Sequence, residues 1–312
     1  MWALYAIIAY LLLAINGILD KFLLTKEVKH PIAYAFYVGI TGPLSLLLLL
    51  LGFVGKWLNW NFLQTEFVFQ LLSGPNTIVA LLGGICFPLA LYFLYSATQA
   101  TSISRILPIE GGLVPIFTLL MAYLILGERL APLQIAAFLF LVVGAVLISF
   151  KRKKGEWHPL AFGNATVAAF LFALSLTLSK YTFQRVNFAS GLIWVHLGFF
   201  ITALSFLVFA KSRSYIFNTP KQVSTQNKFV YLSARVAGGA SGLLQNYAIK
   251  IGSVTLVNAL QGTQYAFLLI LSTILSLKFP KLLKERVSGQ TLTQKIIAIV
   301  IISLGLWLLT PH

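Results

Sequence analysis

Ten apolar tracts, each close to twenty residues long, constrain this sequence more than any other feature. A helical tract of this length matches the ~30 Å hydrocarbon core of a membrane. Backbone groups in lipid must be satisfied within their own segment, and the tracts lack the strict alternation of barrel strands. The sequence therefore predicts an all-α, polytopic membrane protein with ten transmembrane helices. The predicted spans are residues 3–24, 32–53, 76–97, 103–126, 131–150, 159–182, 190–210, 229–250, 254–277 and 292–309.

Composition supports the same class. Of the 312 residues, 59% are hydrophobic and only 10% are charged, and a soluble domain could not bury so much apolar surface. The first tract follows Met1 directly, without a basic segment or a cleavage site, so we expect a retained helix. The stretch from Trp57 to Leu72 mixes aromatic and polar residues, which predicts an interfacial helix rather than a span.

The net charge of +16 reflects orientation in a membrane rather than a nucleic-acid partner. When loops are assigned alternately to two sides, seventeen Lys and Arg residues fall on one side and five on the other. Basic loops face the cytoplasm in most membrane proteins. We therefore expect these loops in the cytoplasm, both termini outside, and a location in the cell (plasma) membrane.

The basic run at residues 151–154 divides the chain into two halves of five spans, residues 1–152 and 156–312. The stretch LLLAINGILDKFLL superposes without gaps on FLFALSLTLSKYTF, which places Lys21 on Lys180. Because each half has an odd number of spans, equivalent helices must run in opposite directions. The sequence therefore predicts two inverted five-helix repeats.

The fourth and fifth spans carry the segment LGERLAPLQIAAFLFLVVGAVLI, with Pro115 before it and the pair Gly127-Glu128 at its start. Together with the inverted halves, this segment resembles the EamA-like family of the drug/metabolite transporter superfamily. The resemblance implies that each half is an EamA-like five-helix repeat of a secondary transporter. It also implies a central cavity lined by the first, third, fourth, sixth, eighth and ninth helices.

Ionisable residues inside a membrane are costly and therefore mark a polar interior. Glu110 and Arg235 are both predicted roughly 10 Å below the cytoplasmic boundary, at ~1.5 Å per residue, where they could form an ion pair. The pair is either a static structural lock or a substrate-binding and coupling pair, with Arg105 as a competing partner for Glu110. Asp20, near the end of the first span, is a second coupling candidate.

Neutral polar residues on the expected cavity-lining helices complete the candidate substrate site. Helix-to-helix hydrogen bonding is the alternative role for each of them. The substrate-binding candidates are Glu110, Arg235, Asn16, Tyr95, Gln245, Asn246, Gln261 and Gln264. Glu128, despite its place in the family segment, is expected to cap the next helix, which begins near Pro132.

The sequence argues against catalysis. One cysteine, four histidines and scattered carboxylates supply neither a metal cluster nor a catalytic constellation, and no phosphate-binding loop indicates ATP use. We expect no cofactor and no metal. The expected function is alternating-access transport, most simply export, of a small polar or amphipathic metabolite, amino-acid-like or drug-like. The alternatives are a flippase for lipid headgroups or lipid-linked carriers, and a non-transporting membrane protein. Expected partners are the small-molecule substrate and membrane lipids, and the protein can act as a monomer.

Overall fold

A computed structural model describes residues 1–24, 30–101, 103–149, 158–218, 228–278 and 289–309. These residues form helices and no strand, so the predicted all-α class is confirmed. The helices are α1 (Trp2–Leu24), α2 (Pro31–Gly39), α3 (Leu49–Trp57), α4 (Asn61–Glu66), α5 (Gly74–Ala100), α6 (Ile103–Met121), α7 (Pro132–Ser149), α8 (Pro159–Phe183), α9 (Phe188–Phe206), α10 (Ala210–Asn218), α11 (Lys228–Ile251), α12 (Val254–Ala259), α13 (Gln261–Lys278) and α14 (Gly289–Leu308).

Within these described ranges, eight helical segments are long and apolar enough to cross a membrane. The protein is therefore a multi-pass membrane protein. Two of the ten predicted spans fall outside this set. α11 is rich in polar residues, and the apolar part of α14 is the shorter segment Thr293–Leu308.

Three predicted spans are less regular than the sequence pattern indicates. The second consists of α2, a 3₁₀ segment at Gly42–Leu48 and α3, because Pro43 has no backbone N–H to donate to an α-helical turn. The seventh ends at Phe206 and is followed by the separate helix α10. The ninth is divided into α12 and α13 at Leu260.

The prediction of an interfacial helix from Trp57 to Leu72 is wrong for most of these residues. Only the six residues of α4 are helical, and the chain beyond them is non-helical up to α5. We call residues 61–72 the strap. Backbone groups in the non-helical part of the strap form hydrogen bonds with side chains at the start of α9. Asn187 Nδ2 donates to the Val68 carbonyl at 2.5 Å, and the Gln70 N–H donates to Ser190 Oγ at 2.7 Å. A stretch that can bond to a helix N-terminus does not need helical hydrogen bonds of its own.

The helices pack mainly between the two halves of the chain. α1 lies along α11 and α13, while α5 lies along α8 and α9. α6 lies along α8 and α7, and α7 lies along α14. Small residues bring some of these helices into near backbone contact, as expected in a membrane bundle. A Cβ atom built on Gly84 of α5 would lie 2.8 Å from the Cα atom of Gly198 in α9.

Replacing Gly84 with alanine should therefore destabilise the α5–α9 contact, because the added methyl group has no room. We expect Gly84→Ala to cost about 1–3 kcal/mol and to lower the melting temperature of the purified protein in detergent. Gly163→Ala is the matched control, because no atom lies within 4 Å of a Cβ at Gly163. Equal melting temperatures for the two variants would contradict the packing described.

Candidate functional site

Glu110 is the most deeply buried carboxylate among the described side chains. It lies on α6 and is only 6% exposed. Its Oε1 atom has no hydrogen-bond partner among the residues that the structure describes. A carboxylate out of water is strongly disfavoured unless it is paired, protonated or in contact with a ligand. Glu110 is therefore the residue around which a binding site can be built.

Tyr265 of α13 packs against α6 next to Glu110 in the sequence, at a contact that depends on glycine. A Cβ atom on Gly111 would lie 3.0 Å from the Tyr265 ring, so only glycine leaves the ring its present place. Tyr265 is buried. Gln261, one turn earlier on α13, donates from Nε2 to the Tyr265 hydroxyl at 3.3 Å. A phenol ring that is hydrogen-bonded to an amide thus packs against the residue that follows Glu110.

Two further candidates lie on α13 and α1. The Oε1 atom of Gln264 on α13 is buried and accepts no hydrogen bond from any described residue, although the side chain as a whole is half-buried. Asn16 on α1 is 9% exposed, and its Oδ1 atom lies 3.5 Å from where a Cβ on Gly238 of α11 would be. This contact joins the first predicted span to the eighth.

Gln245 forms a helix-to-helix hydrogen bond, which was its alternative role, and its partner Tyr10 was not among the candidate residues. Its Nε2 atom donates to the hydroxyl of Tyr10 on α1 at 3.3 Å, and Tyr10 donates to the Val257 carbonyl of α12 at 2.8 Å. Ser241 adds a bond to the Ala9 carbonyl at 2.8 Å. These bonds join α1, α11 and α12. The only sequence signal for Tyr10 was a hydroxyl inside an apolar tract, which has to find a partner.

Other candidates have local or peripheral contacts. Asn246 donates to the Gly242 carbonyl of its own helix at 2.9 Å. The ring of Tyr95 on α5 packs on Tyr34 of α2, with 4.2 Å between ring centroids. The substrate-binding role expected for both stays a prediction.

The ion pair between Glu110 and Arg235 stays a prediction. The backbones of Arg235 and Asp20 lie in α11 and α1, but their side chains are outside the described part of the structure. The Glu110–Arg235 pair and the coupling role of Asp20 therefore stay predictions as well.

Glu128 caps a helix, but not the one that the sequence indicated. Its Oε1 atom accepts from Ser253 Oγ at 2.5 Å and from the Thr255 N–H at 3.4 Å, at the N-terminus of α12 in the other half of the chain. The start of α7 is instead bonded by Gln134, which accepts from the Ala131 N–H at 2.9 Å. The prediction of a cap on the next helix was wrong because the chain turns Glu128 toward a helix distant in sequence.

Lys180 holds the end of α11. Its Nζ atom donates to the carbonyls of Ile249, Lys250 and Gly252 at 2.8, 2.9 and 2.7 Å. The last carbonyls of a helix have no partners within the helix and carry partial negative charge, so an ammonium group stabilises them. The lysine that the repeat alignment singled out is thus a C-terminal cap on a helix of its own half.

An ion pair joins the strap to α9 and α11. Glu66 Oε2 accepts a hydrogen bond from the Phe188 N–H at 2.9 Å and contacts Lys250 Nζ. Both partners are less than a quarter exposed. The strap, the Glu128 cap and the Lys180 cap lie at one end of the bundle, which we call the strap end.

Near this ion pair lies a cluster of aromatic rings contributed by four helices and the strap. Tyr247 is at its centre, with ring centroids 5.1 Å from Tyr5, 5.3 Å from Phe188 and 6.3 Å from Phe62. The aromatic cluster consists of Tyr5, Phe62, Phe67, Phe183, Phe188 and Tyr247. Edge-to-face packing of these rings ties the strap to α1, α8, α9 and α11.

An apolar helical bundle with a buried carboxylate and amides in its interior defines a multi-pass membrane protein with a polar core. Residues 1–150 match the EamA-like transporter family, which lies within the drug/metabolite transporter superfamily. The resemblance seen in the sequence is confirmed for this part of the chain. The family consists of membrane transporters and not of enzymes.

The sequence matches no curated protein. A crystal structure of another protein is similar over 99% of this chain and 95% of its own, with a TM-score of 0.63 and 16% sequence identity. At that identity the likeness concerns the fold alone. The fold shared with that structure covers nearly the whole chain.

Removal of the Lys180 ammonium should loosen the strap end. We expect Lys180→Met to lower the unfolding free energy by about 2 kcal/mol, because three helix-end carbonyls lose a charged donor. Thermal unfolding in detergent measures this. Lys56→Met removes an exposed lysine near the same end and should change stability by less than about 0.5 kcal/mol. A Lys180→Met protein as stable as the Lys56→Met protein would show that the cap contributes nothing.

Proposed function

We propose that this protein is a secondary transporter that moves a small polar or amphipathic metabolite, amino-acid-like or drug-like, across the plasma membrane by alternating access. Export is the proposed direction. The observation that carries the proposal is the buried Glu110 carboxylate, whose Oε1 has no hydrogen-bond partner among the described residues, in a chain that matches a transporter family over residues 1–150. Ionisable groups inside a membrane commonly mark substrate pathways or proton relays, and a transport cycle supplies a proton or a ligand to such a group.

Two inverted repeats, residues 1–152 and 156–312, and ten spans are part of this proposal. The helix contacts support it. If α1, α5 and α6 correspond to α8, α11 and α13, then the α1–α11 contact corresponds to α8–α5, and α6–α8 corresponds to α13–α1. All four contacts are present, as a twofold relation between the halves requires.

The break in the ninth span also supports a transport site. α12 ends at Ala259 and α13 begins at Gln261, two residues after Ala259 and three before Gln264. Interrupted helices next to polar side chains are a recurrent feature of carrier binding sites. Both backbone groups of Leu260 are bonded here, its N–H to the Leu256 carbonyl at 3.1 Å and its carbonyl to the Thr263 N–H at 2.9 Å, so the support comes from the polar side chains beside the break. Near the break, Asn258 is buried and donates to Thr118 of α6 at 2.7 Å, which joins the ninth span to the fourth.

The strap end is proposed to be the outer gate. It carries the loops with few lysines and arginines, so the charge distribution favours an external position with both termini on the same side. The Glu66–Lys250 ion pair and the aromatic cluster near it hold this end together. In alternating access the same contacts must separate when the site opens outward.

Glu110 is the proposed coupling residue. The helices packed along α6 include α7 and α12, which carry no charged residue, and α8, whose Lys180 is bonded at the strap end. Tyr265 of α13 packs against the adjacent Gly111. A buried carboxylate in such surroundings can bind and release a proton during each cycle.

Glu110→Gln should abolish the effect of a pH gradient on transport. Glutamine resembles the protonated acid in shape but cannot release a proton, so the driving force is lost while the fold is kept. Substrate flux into proteoliposomes with and without a pH gradient measures this. Glu128→Gln, at the strap end, should keep the pH dependence. If Glu110→Gln kept it too, proton coupling through Glu110 would be wrong.

A cross-link across the proposed gate should stop transport. With Cys86→Ala as background, Glu66→Cys and Lys250→Cys place thiols on the strap and on α11. A short bifunctional thiol reagent should block flux, and cleavage of the linker should restore it. Either cysteine alone should be insensitive to the reagent. Full transport by a protein shown to be cross-linked would exclude the strap end as a gate.

A lipid-headgroup flippase and a non-transporting protein remain the competing functions. A lipid carrier needs a lateral opening in the bundle, whereas a metabolite carrier encloses its cavity. A panel of water-soluble substrates and labelled lipids in the same proteoliposomes separates them. The proposal further includes activity as a monomer, with membrane lipids and the substrate as partners, no nucleic acid and no cofactor.

A further inference from the structure

The short helix α10 lies at the end of the bundle opposite the strap end. α9 begins at the strap, where its Phe188 N–H donates to Glu66, and its 19 residues extend roughly 28 Å at ~1.5 Å per residue. α10 follows α9 after the turn at residues 207–209. Because α9 is about as long as the hydrocarbon core is thick, α10 lies at the level of the lipid headgroups.

Contacts with α2 hold α10 against the bundle. Ile216 is fully buried in an apolar cluster that includes Phe36 of α2. The Tyr37 hydroxyl donates to the Ile216 carbonyl at 2.8 Å, and the Tyr215 ring stacks on His30 with 3.8 Å between ring centroids. A helix of nine residues is too short to be stable alone, so these contacts keep it folded and fix its rotation.

Two exposed aromatic rings and an arginine share one face of this segment. The Arg213 N–H donates to the Phe209 carbonyl at 3.1 Å, so Phe209 lies in helical register one turn before Arg213, and Phe217 lies one turn after it. Phe209 is 66% exposed and Phe217 is 60% exposed. We call these three residues the Phe–Arg face. It adjoins the buried side formed by Ser212 and Ile216.

The side of α10 that points away from the bundle is polar. Lys211, Ser214 and Asn218 are exposed, and at the helical repeat of 3.6 residues per turn they lie roughly opposite the buried residues. α10 therefore has a bundle side, an aromatic side with one arginine, and a polar side. This arrangement is typical of helices that lie in the interface between lipid and water.

The positive charges of Lys211 and Arg213 are not neutralised by the described part of the protein. Neither side chain has a carboxylate partner there, and the helices α2, α5 and α9 contain no Asp or Glu. A guanidinium group binds phosphate through two parallel hydrogen bonds. Phenyl rings on both sides of it are suited to the boundary between headgroups and acyl chains.

We propose that α10 is a binding site for anionic phospholipids in the leaflet at this end of the bundle. Arg213 binds the lipid phosphate, Phe209 and Phe217 contact the upper part of the acyl chains, and Lys211 adds long-range attraction. A zwitterionic phospholipid has the same phosphate but no net charge, so it gains less from the two basic residues. This inference does not depend on the transport function.

The orientation of α10 is tested with a fluorescent label at two adjacent positions. In the Cys86→Ala background, Phe217→Cys and Asn218→Cys are each labelled with a nitrobenzoxadiazole dye in the full-length protein. The proteins are placed in nanodiscs whose phosphatidylcholine carries bromine on its acyl chains. We expect stronger quenching at position 217 than at position 218, because only the first is on the Phe–Arg face. Equal quenching at the two positions would show that this face does not meet the lipid.

The headgroup preference is tested by native mass spectrometry of the purified protein in non-ionic detergent, with dioleoyl phosphatidylglycerol or dioleoyl phosphatidylcholine added. The variants are the double substitution Lys211→Gln/Arg213→Gln and its control Lys56→Gln/Arg129→Gln, which removes two exposed charges near the strap end. Melting temperatures establish that both are folded. Soluble glycerol 3-phosphate competes with the lipid in a separate titration.

We expect phosphatidylglycerol to bind about fivefold more tightly than phosphatidylcholine. Lys211→Gln/Arg213→Gln should weaken phosphatidylglycerol binding about tenfold, whereas the control should stay within about twofold of the unmodified protein. Equal binding of the two lipids, or equal weakening by the two double variants, would overturn the inference. Displacement of the lipid by an equal concentration of glycerol 3-phosphate would show a site for a free phosphate and would overturn lipid docking.

Discussion

Every polar group within the lipid-spanning part of this protein must be satisfied by the protein itself, and the rest of the structure depends on this requirement. Backbone groups satisfy it by forming helices. Buried side chains satisfy it by bonding between helices, as Tyr10 does with Val257 and Asn258 with Thr118. The exceptions among the described residues include the Oε1 atoms of Glu110 and Gln264, and Glu110 is the carboxylate among them. This exception is informative because a buried carboxylate is costly unless a proton, a cation or a ligand satisfies it.

Polar groups at the strap end are satisfied in a different way from those near Glu110. At the strap end, helix termini are satisfied by side chains distant in sequence: Lys180 bonds the end of α11, Glu128 the start of α12, and Glu66 the start of α9. These contacts tie together helices from both halves. They hold this end together, whereas Glu110 Oε1 has no hydrogen-bond partner among the described residues.

Much of the fold could be predicted from hydropathy because lipid imposes a single length and a single secondary structure on each span. The interruptions within the predicted spans could not be predicted from hydropathy. Pro43 gave a reason for the irregular second span, but the break at Leu260 and the strap depend on contacts with other helices. The sequence indicated correctly that Glu128 caps a helix, but it indicated the wrong helix. A local pattern identifies a capping residue, whereas only the chain path decides which helix end it reaches.

The sequence by itself determined that the chain is helical, crosses the membrane several times and resembles EamA-like transporters in residues 1–150, because apolar length and the family segment are local properties. It also singled out Glu110, since a carboxylate in an apolar tract is visible without coordinates. The tertiary structure decided how the other polar residues are used: it packed Tyr265 against Gly111, the residue after Glu110, and bonded Gln245 to Tyr10. These assignments depend on helix rotation and on contacts between distant segments, which no local pattern encodes.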